Sequence, residues 1–303
     1  MLSYYFHKYL DMLIDLFEKG FNKNHFYFTV FITLSILILE LIYVGWKNSS
    51  FKTILLFNKS TRIDFYLWMI ESFNLFSFFS IALSFALCYY LVGFSPKSLN
   101  FSFSNSLVQY LVIILIFDFK NWFSHIVFHR SKLLWQIHAY HHSATNFNVF
   151  TRQRAHFLEV EFKRFFDILP FVFFGAPPSS YFFVLIFVEC HQMLIHSNVE
   201  SDWGFIGKHV LISPAAHKIH HSIDERHFDA NFGLVFVFWD KLFRTRLITT
   251  DKITIGIPNN PYNRGIIKDV WLCQVLFIKV TIAVFKSRII QIIRFFSLKP
   301  KGE

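Results

Sequence analysis

Residues 105–142 read NSLVQYLVIILIFDFKNWFSHIVFHRSKLLWQIHAYHH and pass without a break from a long apolar run into a dense group of histidines. The apolar run, about residues 105–128, is long enough to cross a bilayer as a helix, because a span needs ~20 residues. His125 and His129 stand at the end of that run, and three more histidines follow closely. This stretch therefore predicts a membrane helix that carries imidazoles to one of its ends.

The composition of the whole chain agrees with a membrane protein. Of 303 residues, 54% are hydrophobic and 17% are charged, which is too apolar for a soluble domain of this size. The formal charge of +10 is spread over several loops and forms no groove-filling helix, which favours contact with an anionic membrane surface over nucleic acid. The three cysteines lie in apolar stretches without paired spacing, so neither a disulfide framework nor a cysteine-ligated cluster is predicted.

Two further apolar runs, about 26–46 and 65–92, predict two more spanning helices. The run 165–196 is interrupted by GAPP at 175–178, which predicts a helical hairpin that returns to its starting side. Lysines and arginines between the first two runs and after the third predict that these loops are cytoplasmic. The expected fold is an all-α, multi-pass integral membrane helical bundle of about three spans plus a hairpin, with a histidine-rich metal-binding cap in the cytoplasm.

The two ends of the chain have their own patterns. Residues 1–21 lack the uninterrupted apolar core of a secretory signal and predict an amphipathic lead-in helix. Residues 266–296 mix isoleucine, valine and phenylalanine with lysines and arginines. That mixture predicts either an interfacial amphipathic helix or a helix packed on the protein surface.

Eight of the fifteen histidines fall into three compact groups, HIVFH at 125–129, HAYHH at 138–142 and HKIHH at 217–221. Residues three and four apart share a helix face, so each group is expected to aim its imidazoles at one place. Imidazole is the commonest metal ligand and suits iron, copper and zinc. Eight imidazoles exceed the needs of one ion, so the pattern predicts two ions with open positions. Chance, a pH sensor or a solvated surface explains this spacing less well.

Two segments, DFKNWFSHIVFHRSKLLWQIHAYHHSATN from residue 118 and ISPAAHKIHHSIDERHFDANFGLVFVFWDKLFRTR from residue 212, resemble the fatty acid hydroxylase and sterol desaturase superfamily of membrane di-iron enzymes. The resemblance covers about residues 105–247. It also brings in a ninth histidine, within HQMLIHSN, whereas Gln192 stands where some relatives have another and could act through water. The resemblance implies nine metal ligands: His125, His129, His138, His141, His142, His196, His217, His220 and His221.

By this resemblance, two iron ions use dioxygen to hydroxylate or desaturate a lipid taken from the bilayer, such as a fatty acyl chain, sterol, sphingoid or ether lipid. Zinc can replace iron in the isolated protein, because imidazole sites favour it by intrinsic affinity. The sequence has no flavin or dinucleotide signature, so an external electron donor, a small cytochrome or ferredoxin, is expected on the basic cytoplasmic face. The expected organisation is membrane helices in 1–104, the catalytic domain in 105–250 and an amphipathic tail in 251–303.

Asp118 lies seven residues before His125 on the same helix face, near the end of an apolar span. An unpaired carboxylate there is costly, so it needs a partner. We expect it to orient a liganding imidazole, and the alternative is an ion pair with Lys120, Arg130 or another loop base.

Other polar residues also need partners. Asn231 and Asp240 match positions of the family and are expected either to hold imidazole N–H groups or to cap a helix. Glu40, Glu71 and Glu189 interrupt apolar runs and should face protein or a cavity, where they line a substrate tunnel or pair with a polar neighbour.

The rival interpretation is a membrane metal-binding or metal-transport protein that uses the same histidines for zinc or iron. Transport predicts ligands at membrane depth. The histidine groups lie instead largely in basic loop regions beyond the apolar runs, which favours a cytoplasmic cap. A scaffold that has lost catalysis is disfavoured because all eight family histidines are present.

Overall fold

The structure is a computed structural model that describes residues 23–73, 83–84, 106–173, 178–199 and 201–297. The described residues form helices and loops, with two isolated β-bridges and no extended strand among them. The prediction of an all-α fold is confirmed for this part of the chain. The expected lead-in helix and most of the expected span at 65–92 lie outside the described residues.

The N-terminal helices are α1 (Lys23–Asn48), α2 (Ser50–Leu56) and α3 (Lys59–Ser72). The next four are α4 (Ser106–Arg130), α5 (Lys132–His142), α6 (Phe157–Phe173) and α7 (Pro178–Ile195). The last four are α8 (Gly204–His209), α9 (Pro214–His220), α10 (Phe238–Leu242) and α11 (Ile266–Ser297). The short helices α8 to α10 belong to the segment between α7 and α11, where the expected cap lies.

Three of these helices are long and apolar enough to cross a membrane: Phe26–Asn48, Leu107–Arg130 and Ile266–Gln291. The first two match the spans that the sequence predicts. For the third, the sequence predicts an interfacial or surface helix, and its length and composition also suit a span. Only 6% of its apolar window is buried among the described residues, which leaves a large exposed apolar surface.

The helices α6 and α7 pack against each other and form the predicted hairpin, although α6 begins earlier than expected, at Phe157. The turn at 174–177 lies outside the described residues. Apolar side chains join the hairpin to α4 in one core cluster that includes Phe117, Ile168, Val184 and Val188. Within a membrane, van der Waals packing holds such side chains together, because lipid is as apolar as the side chains themselves. The cluster therefore fixes three helices around one end of the histidine region.

Two buried carboxylates attach the N-terminal helices to the rest of the protein. Asp64 in α3 accepts a hydrogen bond of 2.6 Å from Arg154 Nε, and both side chains are fully buried. Glu40 in α1 accepts hydrogen bonds from the backbone N–H groups of Ser50 and Asn198, at 2.6 and 2.7 Å. Glu40 thus faces protein, as expected, and bonds to polar neighbours.

Candidate metal centre

Local sequence signals set the helices that carry the histidines. Ser131 caps α5 by accepting a hydrogen bond from the N–H of Leu134, and Ser213 caps α9 in the same way. Pro214 follows at the first helical position, where its missing N–H does no harm. The histidines come from four places: the last turns of α4, the second half of α5, the end of α7 and the end of α9.

The structure brings all nine predicted imidazoles together in two adjoining groups. Within each group, the ligand atoms all lie within 4.8 Å of one another. We call them the five-histidine group and the four-histidine group. The first consists of His125, His129, His138, His142 and His220, and the second of His141, His196, His217 and His221.

This division corrects the expectation that each triplet aims at one place. In α5, His138 and His142 belong to the five-histidine group, whereas His141 belongs to the other. A pair four residues apart differs by about 40° around the helix, and a residue three along is displaced by about 60° in the opposite sense. The triplet at 217–221 divides in the same way, so each HxxHH motif serves both groups.

The ring nitrogens have the spacing of metal ligands. Neighbouring Nε2 atoms within each group lie 2.9–3.2 Å apart. Two nitrogens at right angles around an ion, each about 2.1 Å from it, are about 3.0 Å apart. The Nε2 atoms of His125 and His220 are buried and have no hydrogen-bond partner within the described residues. Bound cations would satisfy these lone pairs, so the donor set fits one ion in each group.

Hydrogen bonds on the other ring nitrogen fix the orientation of five imidazoles. Their Nδ1 atoms lie 2.7–3.0 Å from oxygen acceptors: Phe232 O for His125, Glu159 Oε1 for His138, Arg154 O for His141, Gln192 O for His196 and Ala230 O for His220. An Nδ1–H donated to such an acceptor leaves Nε2 as the metal-binding lone pair.

Burial keeps these imidazoles in the neutral form that binds metals. It lowers the pKa of His196 and of His220 to about 3. Burial, followed by repulsion from neighbouring imidazoles, holds the pKa of His141, His217 and His221 well below the ordinary value. At neutral pH the groups are therefore ready to act as ligands without first losing protons.

Asp118 differs from both of its predicted roles. Its Oδ1 accepts a hydrogen bond of 3.0 Å from the N–H of Val235, and its Oδ2 accepts from the N–H of Phe236 and from the indole of Trp239. It bonds to no imidazole and no basic side chain of the described residues. Its partners lie more than a hundred positions away in sequence, in the segment 235–239. Asp118 therefore fixes that segment against α4.

Asp240 acts on an imidazole through the backbone. Its Oδ1 accepts hydrogen bonds from Phe232 N and Trp122 Nε1, at 2.9 and 3.0 Å, and its Oδ2 accepts from Gly233 N at 2.8 Å. The carbonyl of Phe232 in turn receives the Nδ1–H of His125. The sequence predicts that Asp240 contacts an imidazole directly or caps a helix. In the structure its contact with His125 is indirect, because the peptide that joins Phe232 to Gly233 lies between the carboxylate and the ring.

Asn231 makes no hydrogen bond to an imidazole of the described residues. Its Nδ2 donates to Ala216 O and Leu247 O, at 3.1 and 3.0 Å, and its Oδ1 accepts from Leu247 N. Its φ of 56° lies in the left-handed region, which asparagine tolerates. Asn231 therefore joins α9 to the segment after α10, next to the carbonyl of Ala230 that holds His220.

Glu159 is the site residue that sequence reasoning missed. It is buried, and its Oε1 accepts from His138 Nδ1 at 2.8 Å and from Lys163 Nζ at 2.5 Å. Its position near the start of α6, far from the motif in sequence, gave no sign of this contact. Four other charged residues share this helix, Glu161, Lys163, Arg164 and Asp167, so the sequence alone does not single out Glu159.

A cavity of about 100 Å³ adjoins both histidine groups and is bounded by α4, α6 and α7. His125 and His196 lie at its histidine side, and Phe117, Leu185 and Val188 give it an apolar side. Charged side chains also line it. The cavity connects the metal-binding region to the interior of the hairpin.

Comparison with known proteins supports this description. Residues 110–245 match the model of the fatty acid hydroxylase family. The chain is 30% identical to alkylglycerol monooxygenase from Homo sapiens over 146 residues, which is 48% of this chain and 32% of that protein. The corresponding enzyme from Caenorhabditis elegans is 30% identical over 128 residues, or 42% of this chain and 25% of that protein. Ornithine lipid hydroxylase OlsE from Rhizobium tropici is 28% identical over 137 residues, or 45% and 41%.

The chain thus spans less than half the length of the curated relatives that it matches. No solved structure matches it. The matched region contains all nine histidines of the two groups and the segment that orients them. The part of the chain that carries the histidines, residues 110–245, is accordingly similar to the fatty acid hydroxylase family.

Proposed function

We propose that this protein is a membrane monooxygenase that hydroxylates a lipid, with two iron ions held by nine histidines. The observation that carries the proposal is the pair of buried, neutral imidazole groups with converging Nε2 atoms beside a cavity. Imidazole suits iron, and a di-iron centre needs about the number of ligands present here. The five-histidine group would hold one ion and the four-histidine group the other.

Two iron ions bound there would activate dioxygen, so that one oxygen atom enters a C–H bond of the lipid and the other is reduced to water. This balance takes two electrons and two protons from outside the reaction site. The sequence carries no flavin or dinucleotide signature, so we assign the electrons to an external donor, a small cytochrome or ferredoxin. The loop lysines and arginines support a metal site on the cytoplasmic side.

The residues of the chain itself orient the imidazoles and exclude water from them. Five Nδ1 hydrogen bonds hold the rings in the geometry that metal binding needs, without a rearrangement when the ions bind. Burial of the imidazoles limits the access of water, which protects a reactive oxidant from side reactions. Rings held this firmly at helix ends suit a resident metal centre better than the ligand exchange that metal transport requires.

The names of the relatives favour hydroxylation over desaturation. Alkylglycerol monooxygenase and ornithine lipid hydroxylase both insert oxygen by name, and both act on lipids. A lipid can approach the cavity from the bilayer because α4, one of its walls, is itself long and apolar enough to span. The substrate that we propose is therefore an amphiphilic lipid of the bilayer.

The decisive experiment measures iron and product together. The protein is purified anaerobically with iron, and metal content and Mössbauer spectra are recorded before and after exposure to dioxygen. We expect two irons per chain and a spectrum that changes with dioxygen. The same preparation, given electrons chemically, should convert a bilayer lipid into a product heavier by one oxygen atom.

The variant His142→Ala/His217→Ala removes one ligand from each group and should lose both the iron and the product. The matched control is His209→Ala, because His209 is exposed on α8 and belongs to neither group. Less than one transition metal per chain in the unmodified protein, with lipid oxidation unaffected by the double variant, would overturn the proposal.

A further inference from the structure

A stripe of exposed apolar side chains runs along the outer face of α4. Its members stand four residues apart and therefore lie on one side of the helix: Leu107, Leu111, Leu115, Phe119 and Phe123. Each is between 37% and 65% exposed in the described part of the chain. Because α4 is long and apolar enough to cross a membrane, this stripe is the surface that it presents to lipid.

Helix α10, in the segment of the expected cap, lies directly against this stripe. The ring of Trp239 packs on Phe119, with ring centroids 4.8 Å apart. Phe243 stacks on Trp122 at 4.4 Å. Phe119 lies ten residues before His129, or about 15 Å along the helix axis at 1.5 Å per residue. Helix α10 therefore packs on the flank of α4, well away from the helix end that carries the histidines.

Helix α8 lies beside α10 and extends the same surface. The N–H of Val237 donates to Val210 O at 3.0 Å. The Nζ of Lys241 lies 3.3 Å from His209 Nδ1. Six large apolar side chains in and next to the two helices are exposed: Phe205, Ile206, Val210, Phe238, Leu242 and Phe243. We call this surface the cap patch.

The cap patch is too apolar for contact with water alone. Phe205 is 74% exposed, and Phe238 and Leu242 are 51% and 56% exposed among the described residues. Contiguous exposed apolar side chains on this scale mark a membrane or protein interface. The patch continues the lipid-facing stripe of α4, so the same lipid that covers the stripe can cover the patch.

Basic side chains accompany the apolar ones. Lys208, Lys241 and Arg244 are exposed, and Asp202 is the exposed acidic residue of the segments 201–210 and 237–246. Three positive charges thus stand against one negative charge. Lysine and arginine attract anionic lipids, and their long stems let the charge stay at the level of the head groups while apolar neighbours enter the lipid. Aromatic and basic side chains together are typical of a surface that lies in the membrane interface.

We propose that the cap patch is a membrane-binding surface that enters the bilayer leaflet on the histidine side and holds anionic phospholipids at its edge. Phe205, Phe238 and Leu242 lie among the outer parts of the acyl chains. Lys208 and Lys241 bind the phosphate groups of the head groups. Helices α8 and α10 thus lie in the interface, whereas the sequence predicts a cap in the cytoplasm. This inference does not depend on the oxidation of a lipid.

The first test places the photocrosslinking residue p-benzoylphenylalanine at Phe205 or at Leu242 of the full chain and irradiates membranes of the expressing cell. We expect adducts with the mass of one phospholipid at both positions. The matched control is the same residue at Phe228, which is 47% exposed in the same segment. The neighbouring Asp229 lies 3.9 Å from His129 at the histidine end of α4, so Phe228 should give no lipid adduct above background.

Every other occupant of the cap patch gives a different product in this test. A product of twice the protein mass would show that a second copy of the chain covers the patch. An adduct with another protein would show a docking partner, and the absence of any adduct would show contact with water. Each of these results would overturn the proposal, and so would lipid adducts at Phe228 in equal yield.

The second test measures the preference for anionic lipid in nanodiscs of equal parts phosphatidylcholine and phosphatidylglycerol. Among the adducts at Phe205, we expect about fivefold more phosphatidylglycerol, because one basic side chain near the surface contributes attraction of that size. Lys208→Gln/Lys241→Gln should bring the two lipids close to equal yield. The melting temperature of each variant shows whether it is folded.

The matched control for charge is Arg226→Gln/Lys252→Gln. It removes the same charge from two exposed residues on the side of Phe228, outside the cap patch. This variant should keep the preference for phosphatidylglycerol. Equal yields in the unmodified protein, or a preference that survives in folded Lys208→Gln/Lys241→Gln protein, would overturn the binding of anionic lipid by the patch.

Discussion

The five-histidine group and the four-histidine group differ in how they are supported. In the first, one ring is held by a carboxylate, Glu159, and another by the carbonyl of Phe232, whose peptide N–H, that of Gly233, donates to Asp240. In the second, the two anchored rings of His141 and His196 are held by backbone carbonyls alone. The Nδ1 atoms of His217 and His221 have no partner among the described residues. One group thus depends on side chains that can be substituted, and the other depends on the backbone.

The largest expected difference comes from removing one ligand from each group. His129→Ala leaves four imidazoles in its group, whereas His221→Ala leaves three. Each variant should lower the binding affinity for one ion by more than the 10–100-fold that loss of a supporting hydrogen bond costs. The loss of affinity should be greater for His221→Ala, because its group keeps only three imidazoles, whereas the five-histidine group keeps four after His129→Ala.

Iron titration with a chelator, followed by Mössbauer spectra, measures the two sites separately. Each variant should lose one of two signals and keep the other. Loss of both irons in either variant would show that the groups behave as one site, and the comparison between them would lose its basis.

The next largest effect is expected at Asp240, which supports only the five-histidine group. Asp240→Asn removes a buried charge that accepts from Phe232, Gly233 and Trp122, and should destabilise the protein by about 3 kcal/mol. His125 then loses the fixed carbonyl that orients it. Thermal unfolding should show the stability loss, and iron titration should show a weakened five-histidine site beside an intact four-histidine site.

The control is Asp251→Asn, because Asp251 is exposed and its contact with Arg226 is a surface pair worth at most about 1 kcal/mol. Equal weakening of both iron sites by Asp240→Asn, without loss of folding, contradicts a selective role for Asp240.

The two groups also show which features of the site can be predicted from the sequence. Spacing alone identified the eight clustered histidines, because their helical periodicity is local and imidazole chemistry is specific. The division of each HxxHH motif between two groups also follows from helix geometry, with 138 and 142 on one side and 141 on the other. The expectation of one common face fails because positions three and four apart lie about 100° from each other around the helix. Local periodicity therefore determines both which histidines cluster and which of the two groups each one joins.

Local sequence patterns could not predict the contacts that support the imidazoles. Asp118 and Asp240 stood out as polar residues in apolar or motif positions, but their partners at Val235 and Trp122 lie more than a hundred residues away. Such pairing depends on how the loop after α9 returns to α4, which no periodicity encodes. The same holds for Glu159, whose contact with His138 joins two separate helices. The spans in α1 and α4 were predictable because length and hydrophobicity determine them. The span-like length of α11 was not predicted, because its lysines and arginines indicate an interfacial or surface helix.

A smaller effect is expected from Glu159→Gln, which keeps an acceptor for His138 but removes its charge. Loss of a supporting carboxylate costs about 10–100-fold in metal affinity, and the remaining amide oxygen should hold the loss near the lower end. Chelator competition should show this at the five-histidine site only. Glu161→Gln is a matched control two residues along α6, because Glu161 bonds Ser84 and no imidazole of the described residues. An unchanged five-histidine site would mean that Glu159 does not orient His138.

The smallest effect is expected from crowding the peptide that supports the five-histidine group. A Cβ at Gly233 would lie 2.6 Å from Ile212 Cδ1 and 2.9 Å from Asp240 Oδ2. Overpacking of this kind costs about 1–3 kcal/mol, so Gly233→Ala should lower the melting temperature. Ile212→Ala removes the nearer obstacle, so the double variant should be more stable than the sum of the two single changes predicts. Purely additive losses would locate the strain at Asp240 instead, and iron binding by the five-histidine group should then fall together with stability.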